Sequence, residues 1–206
     1  METVSREAGG ETRQQRSSAR SQERRRRLLA AALEILAERG YNETSVDQVV
    51  AQARTSKTAF YEFFDSKEDC VRDLLETEGG ALIHRVTSAA AQGVGHRDRM
   101  RRGIRAFVTA CGEQRALARV LLVESVGISQ RIESVRQELQ GRFAAVVEDE
   151  VRRAGADHDP FYAAMDPVVF GRAVVGAVND ATAHLLKGSG ENRDALADGL
   201  CRIFAP

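Results

Sequence analysis

The 206-residue sequence has no tryptophan, three prolines, three cysteines and no excess of either charge, with 30 basic residues set against 30 acidic ones. Scarce proline beside abundant Ala, Leu, Arg and Glu favours helix throughout the chain. Cys70, Cys111 and Cys201 are odd in number and far apart, which excludes a disulfide framework and makes the reducing cytoplasm the expected compartment. No apolar run approaches the roughly 18 residues of a membrane span, and no apolar core follows the charged N-terminus as an export signal would require. Catalytic signatures are missing too. There is no glycine-rich phosphate loop, no metal-ligand spacing and no nucleophile elbow, and His84, His96, His158 and His184 stand isolated. Neither an enzyme, a cofactor nor a metal site is expected. What remains, 43% hydrophobic and 29% charged residues, is ordinary globular composition, long enough for one large domain or two small ones with real cores.

A zero net charge hides an uneven distribution. Residues 13–27 hold seven arginines and a single glutamate, ending in the run Arg24-Arg25-Arg26-Arg27, and such a local concentration can track phosphates on a neutral protein. Residues 1–21 are almost devoid of apolar side chains and are expected to form a mobile arm. From Arg24 the pattern turns helical, with Leu29, Ala32, Leu33 and Leu36 at helical spacing and Gly40 placed as a C-terminal cap. Thr44 and Asp47 resemble a capping box for a second short helix with an apolar side of Val46, Val49 and Val50. After the break "ARTS" a third helix is expected over about 56–63, and Asp65 or Ser66 starts a fourth. Three short helices with a tight turn between the second and third make a helix-turn-helix, whose second member can lie in a DNA major groove. Further helices are expected over about 66–91, 98–113, 115–126, 129–154, 167–187 and 191–204, with breaks at "QGVGHR", Gly127, "GADHDP" and "KGSGEN". The fold class is all-α, with about nine helices. The expected organisation is an arm (1–21), a helix-turn-helix domain (22–66) and a larger helical body (67–206).

The stretch "GYNETSVDQVVAQARTSKTAFYEFFDSKED" resembles the DNA-binding domain of the tetracycline-repressor (TetR) family. Gly40 and Tyr41 stand where a Gly and an aromatic residue end that family's first helix. Thr44, Ser45 and Val46 match the start of its second helix, Phe60, Tyr61, Phe63 and Phe64 the aromatic end of its recognition helix, and Ser66, Lys67 and Glu68 the opening of its fourth helix. The match covers about residues 24–75 with the spacing intact. Two positions depart from it. The family usually has Ala-Gly-Val-Ser in the turn, and here Ala53-Arg54-Thr55-Ser56 stands there. Glycine would suit a positive φ. Arg54 either bears a left-handed strain of order 1 kcal/mol or holds a different turn.

Phe60 and Phe64, spaced i, i+4, are expected in the core. Ser56, Lys57, Thr58 and Ala59 form the first turn of the recognition helix, the part that reaches base edges. The resemblance implies that the Tyr61 hydroxyl donates to a phosphate. Lys67 is expected at a second phosphate and the amides of Thr44 and Ser45 at a third, with Arg26 and Arg27 entering from the arm side. The resemblance further implies a larger body that dimerises and holds a small ligand. Small residues at Gly171, Ala173, Gly176, Ala177 and Ala181, followed by the stripe Leu196, Leu200, Ile203 and Phe204, suit a four-helix dimer interface. Phe107, Cys111, Phe143 and Asn179 are the candidates for an apolar ligand cavity, with His84 and Glu124 as further polar groups in apolar surroundings. Few aromatics argue against a broad multidrug cage built on ring stacking. The expectation is a homodimeric regulator, a repressor released from a palindromic double-stranded DNA operator by a small-molecule effector, with an activator or ligand-independent regulator of the same fold, or a helical interaction protein without DNA activity, as the alternatives.

Overall fold

The computed structural model describes residues 4–188 and 192–206. Among them the elements are α1 (Val4–Arg39), α2 (Val46–Gln52), α3 (Lys57–Tyr61), α4 (Lys67–Ala91), α5 (Gly95–Glu113), α6 (Arg115–Arg119), a π-helical turn (Val120–Glu124), α7 (Gln130–Ala156), α8 (Pro167–Lys187) and α9 (Arg193–Phe204). The fold is all-helical, and the described residues contain no strand. Residues 4–21, expected as an arm, are instead the first turns of α1, because Arg, Gln, Glu and Ala are all strong helix formers. Residues 1–3 of that arm, and 189–191 of the expected break "KGSGEN", lie outside the described residues.

The chain divides into two compact units, Met1–Val71 and Arg72–Pro206, and the division falls inside α4. In the first unit, Leu28, Leu29, Ala31, Ala32, Ile35 and Leu36 form the buried stripe of α1, facing Val49, Val50, Phe60 and Phe64. Leu33, expected in that stripe, is half-buried. The Phe60 and Phe64 rings lie 5.1 Å apart and are both 1% exposed, so the i, i+4 pair is core, as its spacing predicts. Gly40 takes a φ of +76° as its amide donates to the Leu36 carbonyl. Only glycine enters that region without strain.

The second unit packs α5, α7, α8 and α9 around one apolar core with Leu82 and Val86 of α4. Gly171 allows α8 to meet α7 closely, since a Cβ there would stand 3.0 Å from the Ala144 carbonyl oxygen. Tyr162 is 1% exposed and donates to the Phe204 carbonyl. Burial, followed by the nearby Asp159 charge, pushes its phenol pKa up to about 12.

Candidate nucleic-acid interface and ligand cavity

The turn between α2 and α3 decides how α3 is presented. Ser45, not Thr44, caps α2: its hydroxyl accepts from the Gln48 amide while its own amide donates to Gln48 Oε1 at 2.7 Å, closing a capping box. The expected pairing of Thr44 with Asp47 is therefore shifted by one residue, because Thr44 is 4% exposed and turns its hydroxyl back to the Gly40 carbonyl at 2.7 Å. At the other end of α2, the Arg54 amide donates to the Ala51 carbonyl and the Thr55 amide to the Val50 carbonyl. This is a Schellman closure with Arg54 at a φ of +51°. Of the two options left open by the sequence, the chain takes the left-handed one. The turn keeps the hydrogen-bonded form that a glycine would give it.

Ser56 caps α3 by accepting from the Ala59 amide. Exposed on the helix are Lys57, Thr58 and Tyr61, the last with over half of its surface accessible. Ala59 is buried. Expected among the contact residues, it instead turns its side chain away from solvent, next in the helix to Phe60. The Lys57 ammonium lies 2.8 Å from Asp47 Oδ1, and this carboxylate raises its pKa above the ordinary lysine value.

Lys67 departs furthest from expectation. Its ammonium donates to the carbonyls of Tyr41 at 2.7 Å and Thr44 at 2.9 Å, and sits 3.9 Å above the Tyr41 ring. Burial lowers its pKa, while carbonyls and ring face favour the cation. These contacts tie the start of α4 to the α1–α2 turn, a structural task that the Ser-Lys-Glu motif does not disclose. The amides of Thr44 and Ser45, expected at a phosphate, donate instead to the Tyr41 carbonyl and to Gln48. Arg26 pairs with Glu23, Arg24 with Glu62, and Arg27 is exposed.

In the second unit, α4, α5, α7 and α8 enclose a cavity of about 240 Å³, lined by Met100, Ile104, Val147 and Val174 among others. Phe107, Phe143 and Asn179 line it, and the two rings meet edge-to-face at 5.5 Å. Cys111 does not line it. It lies one helical turn beyond Phe107, buried in the core, where burial pushes its thiol up to about 12. His84 is exposed, and Glu124 pairs with Arg119 at 2.8 Å.

One wall of the cavity carries charges that sequence reasoning missed. Glu150, 6% exposed, accepts from His96 Nδ1 (2.6 Å), Arg99 Nε (2.9 Å) and Arg153 Nη2 (2.6 Å). His96 reaches Asp157 with its other nitrogen. Burial alone would raise the Glu150 pKa, but the three donors hold it below the ordinary value. Burial likewise opposes the imidazolium, and the two carboxylates outweigh it, so the His96 pKa is raised. The isolation of His96 in the sequence hid this cluster, since its partners lie on α7 and just beyond it. Among the described residues, no group of three or more His, Cys, Asp or Glu is placed to hold a metal ion, and no helix is long and apolar enough to cross a membrane.

Residues 28–74 match the family model of bacterial regulatory proteins of the tetR family. The first unit is thus similar, over most of its length, to the tetR family's N-terminal domain. The match begins at the α1 core stripe and ends in the first turns of α4. The fatty acid metabolism regulator protein of Bacillus subtilis (strain 168) is 34% identical over 56 residues, 27% of this chain and 29% of that protein. The HTH-type transcriptional activator FasR of Mycolicibacterium smegmatis is 33% identical over 77 residues, 37% of this chain and 35% of that protein. The chain spans between 21% and 35% of the length of the curated relatives it matches. The crystal structure of FadR from Bacillus subtilis in complex with stearoyl-CoA shares the fold, with a TM-score of 0.78 at 16% identity over 87% of this chain and 96% of that one. The tetR domain is therefore supported by sequence, and the helical body that follows it by fold.

Proposed function

We propose that this chain is the protomer of a homodimeric transcriptional regulator that reads a palindromic DNA operator and is released from it by a small apolar molecule. The observation that carries this reading is the exposed first face of α3. Lys57, Thr58 and Tyr61 project from a short helix held by a closed turn and a serine cap. Lys57 and Thr58 read base edges, and Tyr61 donates to a phosphate. The exposed ion pair of Lys57 with Asp47 opposes this little, because such pairs are worth little in water. Arg26 and Arg27, both exposed, add attraction to the backbone.

Dimerisation is supported by the outer face of α8, where Val169 is 67% exposed beside the exposed small residues Ala173 and Gly176, and by Ile203 of α9, 63% exposed. A two-fold dimer would set two α3 helices about 34 Å apart, one turn of DNA. The cavity in the body supports an apolar effector. So do the relative described as a fatty acid metabolism regulator and the fold neighbour solved with stearoyl-CoA. Release is a population shift: the effector binds one body conformation better and so draws the dimer from its DNA-binding state, with α4, which carries residues of both units, as the transmitting element. Activation in place of repression is the second reading, favoured by the relative named as an activator. Such a regulator works in the cytoplasm, where the DNA is.

The test is selection from a random-sequence DNA pool at near-physiological salt. An enriched palindrome with half-sites about one turn apart is expected. Tyr61→Ala should weaken binding to all sequences, whereas Lys57→Ala should change which sequence is preferred. A pool with no enriched sequence at any salt concentration refutes the DNA-reading function.

A further inference from the structure

We propose that the effector carries a free carboxylate, held by Arg136 in a side pocket that adjoins the main cavity. The proposal rests on the ligand-responsive reading above and names the chemistry of that same site. The side pocket, about 40 Å³, shares Phe107, Phe143 and Asn179 with the main cavity, and its lining is otherwise largely leucine. Arg136 of α7 is the one fixed charge in that lining.

The guanidinium is only 13% exposed and pairs through Nη1 with Glu133 at 2.6 Å. Its Nε is buried and has no hydrogen-bond partner. A guanidinium cannot shed its proton, so this N–H is a permanent cationic donor left without an acceptor. A buried donor without an acceptor is costly, and more so when charged. The Nε edge of arginine is also half of the planar fork that grips a carboxylate through two parallel bonds. With a turn of the Arg136 side chain, a carboxylate arriving with an apolar body in the main cavity would meet that edge and relieve the cost.

The opposite wall makes no such demand. Arg99 and Arg153 also line the main cavity, but both donate to Glu150, and among the described residues neither has a buried nitrogen left without a partner. A water needs roughly 10–15 Å³ of such space, so a pocket of about 40 Å³ has room for a carboxylate. An ester or thioester has no carboxylate at its acyl end to offer Arg136, so the ligand class is a free apolar acid.

The test uses the full chain with decanoate, methyl decanoate and decanoyl-CoA, measuring dissociation constants by calorimetry and release of the selected operator in parallel. Decanoate should bind at least about tenfold more tightly than the ester, as expected for a hydrogen bond to a charged group. In R136Q that preference should fall towards unity while ester binding is retained, which also shows that the variant folds. R136K keeps the charge but not the fork, and should reduce the preference even if R136Q fails to fold. Equal affinity for acid and ester, a preference that survives in R136Q, or binding of the thioester alone overturns the proposal. Should the ester or thioester still release the operator, the regulator reading stands and only the carboxylate falls. If none of the three binds, the proposal falls, while operator selection, done without ligand, decides the DNA-binding reading separately.

Discussion

Replacing Lys67 with methionine separates two roles that a lysine at the start of α4 could have. The substitution keeps most of the apolar stem and removes two charge-assisted hydrogen bonds to the Tyr41 and Thr44 carbonyls, together with the contact over the Tyr41 ring. Hydrogen bonds to charged groups contribute about 1.5–3 kcal/mol each when buried. Lys67 is half-buried, so solvent screening reduces the sum, and a loss of about 2–3 kcal/mol is a fair expectation. That is a large share of a stability of roughly 5–15 kcal/mol. It should lower the melting temperature of a chain this size by about 4–12 °C. Thermal unfolding followed by circular dichroism measures it directly. The same variant should then be titrated against its operator over a range of salt, at a temperature where it is folded. If Lys67 is a brace, affinity falls but the log–log salt slope stays the same. Were it a phosphate contact, the slope would drop by about 0.9 with the melting temperature unchanged, and that pair of results would refute the structural role argued here.

Arg54→Gly should stabilise the first unit by about 0.5–1 kcal/mol: relief of left-handed strain exceeds the extra chain entropy of glycine in the unfolded state. Urea unfolding checks it, and a loss of stability would mean that the Arg54 side chain contributes more than the strain takes away. Thr182 is fully buried and its hydroxyl has no partner. Thr182→Val, of the same shape, should therefore raise stability by about 1 kcal/mol, and a lower melting temperature would point to an acceptor for that hydroxyl. Stability should also depend on pH through the Glu150 cluster. The raised His96 pKa gives a contribution that is complete below the ordinary value of 6.5 and fades as pH rises through the folded-state value. The lowered Glu150 pKa gives one that is complete above the ordinary 4.5 and fades as pH falls through its folded-state value. Both are whole between those two limits. The stability lost by His96→Gln should accordingly be greatest there and shrink towards alkaline pH, and a difference independent of pH up to 9 would show that His96 is not held as the cation.

By itself the sequence determined the helices and the helix-turn-helix. Periodicity placed the long helices of the body to within a few residues, because an amphipathic stripe and its caps are local properties of the chain. The order of Gly40, Ser45, Phe60, Tyr61 and Phe64 disclosed the helix-turn-helix for the same reason, since a cap, a tight turn and an i, i+4 aromatic pair each span only a few residues. Direction and partnership were different. Ala59 and Thr44 sit in the right motif but point inward, and a motif does not say which face of a short helix meets the core. Lys67 looks like a surface cation until its ammonium is seen on carbonyls 26 and 23 residues earlier. Cys111 shares a stripe with Phe107 but lies beyond the end of the cavity. His96 and Glu150, 54 residues apart, and the orphaned Nε of Arg136 leave no periodic trace at all. Only the packing of the body helices gives these groups their surroundings, because a buried charge takes its meaning from the atoms around it and not from its neighbours in the chain.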